Sequence, residues 1–335
     1  MRALLALALA LVALAGCGET EVVRESKVVV TGEAPQNAAP ATPDGAIRIA
    51  VVTHGQASSP FWAIVRNGVE AAARQMDVLV DYRAPEVYDI AQMRTMIDEA
   101  IARRPDGLVV SIPEDGVAPS IRRATREGIP VVSINSGSDV ALELGVHAHV
   151  GQLEEDAGLL AGRKLARAGV RRALCVNQQV GNQGLDARCR GLARALRAAG
   201  GHSLVLGVDD QAPATVRRIA NALASGRIDG VLAANATTGL QAADAVELAN
   251  RTGLVTVGTF DLGPEVLTAV KQRRLAFAID QQPYLQGYWP IAMLAQRARF
   301  GLFPEEGEVI ATGPNFVDTP DEATQALELS KRSIR

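Results

Sequence analysis

The chain has 335 residues, of which 48% are hydrophobic, 21% charged and 4% aromatic, with a formal net charge of −3 at pH 7. That length supports two ordinary lobes or one large domain, and the composition is too apolar and too weakly charged for intrinsic disorder. A net negative charge argues against general nucleic-acid binding, and three cysteines are too few for a disulfide scaffold or a typical structural zinc site.

Met1-Arg2 supplies a short positive start, and residues 3–15 are an unbroken run of Ala, Leu and Val. Those 13 residues fall short of the roughly 20 needed to cross a bilayer as a helix. A charged start, a short apolar stretch and small residues before a break describe an export signal. Leu14-Ala15-Gly16-Cys17 resembles a bacterial lipobox, whose cysteine is lipidated and becomes the new N-terminus; the alternative is an ordinary signal peptide that happens to contain Cys17. Residues 1–17 are thus expected to be a lipoprotein signal peptide, leaving 33 basic against 37 acidic side chains, a formal −4. Residues 18–45 are polar, with Pro35, Pro40 and Pro43 among Ala and Thr. They read as a flexible tether spanning roughly 30 Å. Val28-Val29-Val30 is long enough for no more than a short edge strand.

From Ala46 the pattern becomes regular. Strands are expected at 47–53, 78–82, 107–112, 130–134, 172–177, 204–208, 230–234, 254–258 and 277–280. Helical spacing lies between them, as in Ile90, Met93, Ile97 and Ile101, or Val117, Ile121 and Ala124. Strands that are continuous Val/Ile/Leu runs are buried on both faces, which is what helices covering a parallel sheet produce. Arg104-Pro105-Asp106 and Gly128-Ile129-Pro130 end helices and open strands. The fold class is α/β with doubly wound sheets. Residues 145–151 read as a connection after which the rhythm restarts, so two lobes are expected. In such folds ligands bind beyond the carboxyl ends of the strands.

Those positions are distinctive. The first strand is followed by Thr53-His54-Gly55-Gln56-Ala57-Ser58-Ser59-Pro60-Phe61-Trp62, which places two of the chain's 12 aromatic residues side by side at a helix start. Phe61 and Trp62 fit either a hydrophobic staple or a stacking platform for the apolar face of a sugar ring. Other strand ends offer planar polar side chains: Asn135, Asn177 with Gly181-Asn182-Gln183, Asn235, Asp261 and Gln281. Each alone fits a cap or turn equally well.

The residues from Ile47 to Ala295 resemble the sugar-binding proteins of ABC importers, of the ribose-binding type. The resemblance is carried by Ser59-Pro60-Phe61-Trp62 with Arg66-Asn67-Gly68, by Ile129-Pro130-Val131-Val132-Ser133-Ile134-Asn135, and by Gly151-Gln152. Arg188-Cys189-Arg190-Gly191-Leu192, Asp229-Gly230 with Ala234-Asn235, Val257-Gly258-Thr259-Phe260-Asp261 and Ala278-Ile279-Asp280-Gln281-Gln282-Pro283 extend it. It implies a type I periplasmic binding protein fold, two lobes joined by a three-segment hinge that close on one sugar. The implied lobes are 46–149 with 282–310, and 150–281 with 311–335. It further implies that Ser59 contacts a hydroxyl, that Phe61 and Trp62 flank the ring, and that Asn135, Asn235, Asp261 and Gln281 bind ligand. Asn135-Ser136 stands where the ribose type has Asp-Arg, and Asp186 falls where a second ligand arginine is expected. Both guanidinium forks are then missing, which argues against ribose and for another neutral polyhydroxylated ligand. His54 at the cleft mouth is the candidate replacement contact.

No phosphate-loop, zincin, nucleophile-elbow or dinucleotide signature occurs, so no cofactor is called for. His147 and His149 alternate on one face, but no further metal-ligand type is spaced beside them, and no metal site is expected. Cys175 and Cys189 either pair in an oxidising compartment or remain two separate buried thiols. Arginine pairs such as Arg122-Arg123 and Arg217-Arg218 read as solvated helix ends.

The resulting expectation is a monomeric binding lipoprotein of the periplasm or cell-envelope surface. It would be anchored through Cys17 and deliver a monosaccharide or polyol to an ABC permease with its ATPase. The alternative is a sensory receptor acting on a membrane kinase or chemoreceptor. An exported glycoside hydrolase with Asp186 and Asp261 as its carboxylates is disfavoured, because the resemblance assigns Asp261 to binding. A DNA-binding regulator is excluded by the export signal standing where its DNA-binding helices would be.

Overall fold

The structure, a computed structural model, describes residues 45–55, 59–209, 212–332 and 334. The expected signal segment, Cys17 and residues 18–44 lie outside the described residues. In chain order the strands are β1 (Arg48–Val52), β2 (Leu79–Arg83), β3 (Gly107–Ser111), β4 (Val131–Ile134), β5 (Ala148–Gly151), β6 (Arg172–Asn177), β7 (His202–Gly207), β8 (Gly230–Ala233), β9 (Thr256–Phe260), β10 (Phe277–Asp280), β11 (Glu308–Ala311) and β12 (Asn315–Val317). They form two six-stranded sheets, ordered β2-β1-β3-β4-β5-β11 and β7-β6-β8-β9-β10-β12. Every pairing in the first sheet is parallel. In the second only β12 is antiparallel to its neighbour.

The central strands are apolar throughout because helices cover both faces of each sheet. In β1, Ile49 and Val51 face the helices Pro60–Met76 and Pro283–Phe300. Ala50 and Val52 face Ile90–Ala102 and Ala118–Arg126 on the other side. The second sheet repeats the arrangement: Ala173 and Cys175 of β6 face Glu154–Arg167 and Gln183–Ala198. Leu174 and Val176 face Ala212–Ala224, Ala236–Leu248 and Pro264–Lys271. Each large aliphatic side chain buried in this way contributes about 1.5–3 kcal/mol. Cys175 and Cys189, both buried, are joined as a disulfide with a Cα–Cα distance of 5.6 Å, which ties the helix Gln183–Ala198 to β6.

Two helix pairs pack at backbone contact, and glycine is what permits it. A Cβ on Gly68 would lie 2.0 Å from the Tyr284 carbonyl oxygen, and one on Gly287 would lie 2.0 Å from that of Val65. In the second lobe a Cβ on Gly158 would lie 2.1 Å from the Arg188 oxygen, and one on Gly191 2.1 Å from that of Glu155.

Residues 145–151, read from sequence as a connection, contain β5, which pairs with β4 and β11 in the first sheet. The chain leaves that sheet only after Gly151, returns to it after β10, and crosses again between β11 and β12. Three segments therefore join the two doubly wound lobes. The paired histidines of this stretch have separate surroundings. His147 lies 5.7 Å from the Phe303 ring, whereas His149 is fully buried with Nδ1 2.9 Å from Ser133 Oγ. Among the described residues no group of three metal-ligand side chains forms, and no helix is long and apolar enough to cross a membrane.

Candidate functional site

The carboxyl ends of the two sheets face each other around a cavity of about 340 Å³. That volume lies in the ordinary range for small-molecule sites. Contacts between the lobes close its rim. Ser136 Oγ donates to Asn182 Oδ1 at 3.3 Å, Gln183 donates its backbone N–H to the Pro113 oxygen at 2.8 Å, and Gln183 Nε2 donates to Asp115 Oδ1 at 2.7 Å.

The first lobe supplies an aromatic wall. Pro60 opens its helix at the first turn, and Ser59, whose side chain makes no cap hydrogen bond, borders the cavity. Phe61 and Trp62 both line the cavity, and Trp62 belongs to the core cluster beneath it, with Phe61 packed against that cluster. Their rings meet edge to face at 5.2 Å, and Trp62 meets His54 in the same way at 4.9 Å. His54, two residues beyond β1, is buried, and that burial pushes its pKa down to about 3. The imidazole is therefore neutral at physiological pH.

The second lobe supplies the charge. Arg188, 3% exposed, makes a bidentate pair with the equally buried Glu154, with Nε to Oε2 at 2.6 Å and Nη2 to Oε1 at 2.8 Å. Its Nη1 donates to the Ala234 oxygen at 2.6 Å, and the guanidinium lies 4.2 Å from the centre of the Phe260 ring. Three of its five N–H donors are thereby engaged among the described residues, and the residue lines the cavity. Asp261 follows β9 at φ +68, a left-handed conformation that Asp tolerates better than most residues. Burial raises its pKa to about 6, while the Arg188 charge and a hydrogen bond from Gln281 pull the other way.

The polar residues at the hinge form one network. Asn135, also left-handed at φ +63, donates to Gln281 Oε1 at 3.2 Å and to Gln286 Oε1 at 3.3 Å. Gln281 Nε2 donates to Asp261 Oδ1 at 2.6 Å, and Gln286 Nε2 reaches Thr312 Oγ1 at 3.1 Å. Asn235 caps the helix Ala236–Leu248 in a capping box with Thr238, so its Oδ1 serves the backbone while the residue borders the cavity.

Among the sequence-derived candidates, His54, Ser59, Phe61, Trp62, Asn135, Asn235, Asp261 and Gln281 all line this cavity. Asp186 does not. Its oxygens accept from Asn177 Nδ2 at 2.8 Å and the Gly181 N–H at 3.0 Å, which holds the loop after β6. That arrangement removes the carboxylate pair considered for an enzyme, and it corrects the inference that no guanidinium reaches the cleft. Arg188, two residues further along the helix and so on its opposite face, occupies the cavity instead. Gln178, Gln179, Asn182 and Thr237 also line it. Arg188 carried a readable signal, because it interrupts the apolar stripe Leu185, Leu192 and Leu196 on a buried helix face.

The periplasmic binding protein domain pattern matches residues 49–301. A carbohydrate transporter protein from Acidothermus cellulolyticus 11B, solved with myo-inositol, is 32% identical and superposes with a TM-score of 0.80, covering 87% of this chain and all of the other. A solute-binding protein of Burkholderia graminis solved with D-arabinose has the same fold at 23% identity and TM-score 0.75, over 83% of this chain and 96% of its own. The ABC transporter periplasmic-binding protein YphF of Escherichia coli K12 is 32% identical over 110 residues, 32% of this chain and 33% of that relative's length. The match thus spans about a third of that curated relative. The chain belongs to the periplasmic binding protein domain family, and its relatives are substrate-binding proteins of transporters and not enzymes.

Proposed function

We propose that the protein captures a neutral monosaccharide or cyclitol in the cavity between its lobes and delivers it to an ABC permease. The observation that carries this reading is that the Phe61–Trp62 pair and the Arg188–Asp261 pair line one cavity. A sugar or cyclitol ring offers C–H groups to the aromatic side and hydroxyls to the polar side. The solved relative with myo-inositol bound, at 32% identity, supports the same ligand class.

In this reading Asp261 and Arg188 bind hydroxyls directly, Ser59 and Asn235 contribute further polar contacts, and Phe61 and Trp62 flank the ring. Asn135 and Gln281 work at the hinge. Because the cavity is complete only when Ser136 meets Asn182 and Gln183 meets Asp115, ligand favours the closed arrangement and shifts the population toward it. We further propose the two expected lobes with their bounds moved to 46–151 with 282–311 and 152–281 with 312–335, because β5 and β11 of the first sheet run to Gly151 and Ala311, a monomeric state, and periplasmic or envelope attachment through a lipid on Cys17 with residues 18–45 as tether.

The test is a thermal-shift screen of the purified protein against myo-inositol, D-arabinose, D-allose, other monosaccharides, polyols and nucleosides. A ligand at 100 times its dissociation constant stabilises the native state by about 2.7 kcal/mol. A shift from a neutral sugar or cyclitol, lost in Asp261→Ala, is the expected result. A shift from nucleosides alone contradicts the ligand class.

A further inference from the structure

His54 follows β1, and Ser111 ends the neighbouring strand β3. The Ser111 hydroxyl oxygen meets two nitrogens of His54, the backbone nitrogen at 2.9 Å and the ring Nδ1 at 2.8 Å. A backbone N–H can only donate, so Ser111 Oγ accepts there. Ser111 is 0% exposed, and Nδ1 is the one acceptor within reach of its hydroxyl proton among the described residues. Any other rotor leaves a buried O–H without a partner, which is unfavourable. The hydroxyl therefore donates to Nδ1, and a neutral ring with Nδ1 bare carries its proton on Nε2. Nε2 has no hydrogen-bond partner among the described residues, on a ring that lines the cavity. The edges of Trp62 and Tyr88, at 4.9 and 5.9 Å, fix the ring plane.

We propose that Ser111 is a positioning residue that locks His54 as an Nε2–H donor aimed at the ligand, so that this position selects a hydroxyl or ring oxygen and rejects an ammonium group. The inference rests on the cavity being the ligand site. His149 provides an internal comparison. Its Nδ1 likewise meets a serine hydroxyl, that of Ser133 at 2.9 Å, but its ring is turned to the Asn135 backbone and is not part of the cavity lining.

Two measurements test it. The first is the long-range proton–nitrogen correlation spectrum of the histidine rings in the ligand-free, nitrogen-labelled protein at pH 7. His54 is expected to show a bare Nδ1 and a protonated Nε2, and Ser111→Ala is expected to populate the other tautomer. A protonated Nδ1 on His54 in the unmutated protein overturns the proposal. The second is titration calorimetry with myo-inositol, D-arabinose and D-allose. His54→Gln, which keeps a terminal N–H donor, should retain affinity within a few fold, while His54→Phe should bind about tenfold more weakly. Unchanged affinity in His54→Phe also overturns it. If no neutral sugar or cyclitol of the thermal-shift screen binds the unmutated protein, the proposed function falls, whereas the histidine spectrum still decides the Ser111–His54 pairing.

Discussion

The two walls of the cavity stand on matching frameworks yet carry opposite chemistry. Strand order β2-β1-β3-β4-β5 in one lobe corresponds to β7-β6-β8-β9-β10 in the other. Corresponding strands β4 and β9 each end in a left-handed polar residue, Asn135 and Asp261. Each lobe also presses a helix pair together through glycines. The first lobe nevertheless offers rings and a neutral histidine, while the second buries a guanidinium and two carboxylates. The framework therefore settles where side chains meet, and the residues that border the cavity settle its chemistry.

The difference should be visible as stability first. Arg188→Met leaves Glu154 charged, buried and unpaired, and is expected to cost about 3–5 kcal/mol by calorimetric unfolding. The double variant Arg188→Met with Glu154→Leu should recover most of that loss without recovering ligand binding. Removing the exposed Arg194–Glu155 pair on the same helices should change stability by less than about 1 kcal/mol.

A second contrast comes from the disulfide, which only the second lobe has among the described residues. Replacing both Cys175 and Cys189 by serine releases a short loop and is expected to cost about 3 kcal/mol. Hydrogen exchange should place the loss in β6 and the helix Gln183–Ala198, leaving the first lobe as protected as before.

The glycine contacts give a finer comparison. Gly68→Ala and Gly158→Ala both force helices apart and should each destabilise by about 1–3 kcal/mol. Only Gly158→Ala should also weaken ligand binding in calorimetric titration, because it displaces the backbone of Arg188 itself.

The last contrast is set by pH. Asp261 has its folded pKa raised from 3.8 to about 6, so the native state holds more protons than the unfolded chain between those values. Its contribution to stability is present at low pH and is lost as pH rises from about 4 to about 6. His54 and His149, pushed down to about 3 and about 4, act in the opposite sense and lose stability as pH falls below 6.5. The difference between the unmutated protein and Asp261→Asn isolates the carboxyl. Its curve should slope downward with rising pH while ligand affinity climbs over the same range.

Much of the framework was legible because buried parallel strands leave unbroken apolar runs, as in Leu108-Val109-Val110 and Val131-Val132. The strands that escaped notice lack that signature. β11 and β12 are short edge strands with partly exposed side chains, and β5 carries His149 in a four-residue run. At the site, the rule that ligands meet strand ends was enough to find His54, Asn135, Asp261 and Gln281 beside the cavity. It could not separate Asp186 from Arg188, since both lie on one helix and only its rotation decides which side chain faces inward. Nor could it show that Asn135 is taken up by Gln281 and Gln286, because that partnership joins residues about 150 positions apart.

The central claim is that one cavity, aromatic on one side and charged on the other, holds a neutral polyhydroxylated ring. Titration calorimetry of the unmutated protein, Trp62→Ala and Arg188→Met with myo-inositol, D-arabinose and D-allose tests it most directly. The expected result is saturable one-to-one binding of at least one compound, lost in both variants. Binding unchanged in both variants would contradict the account, as would a protein that ignores all three compounds and takes a sugar acid or an amino acid instead.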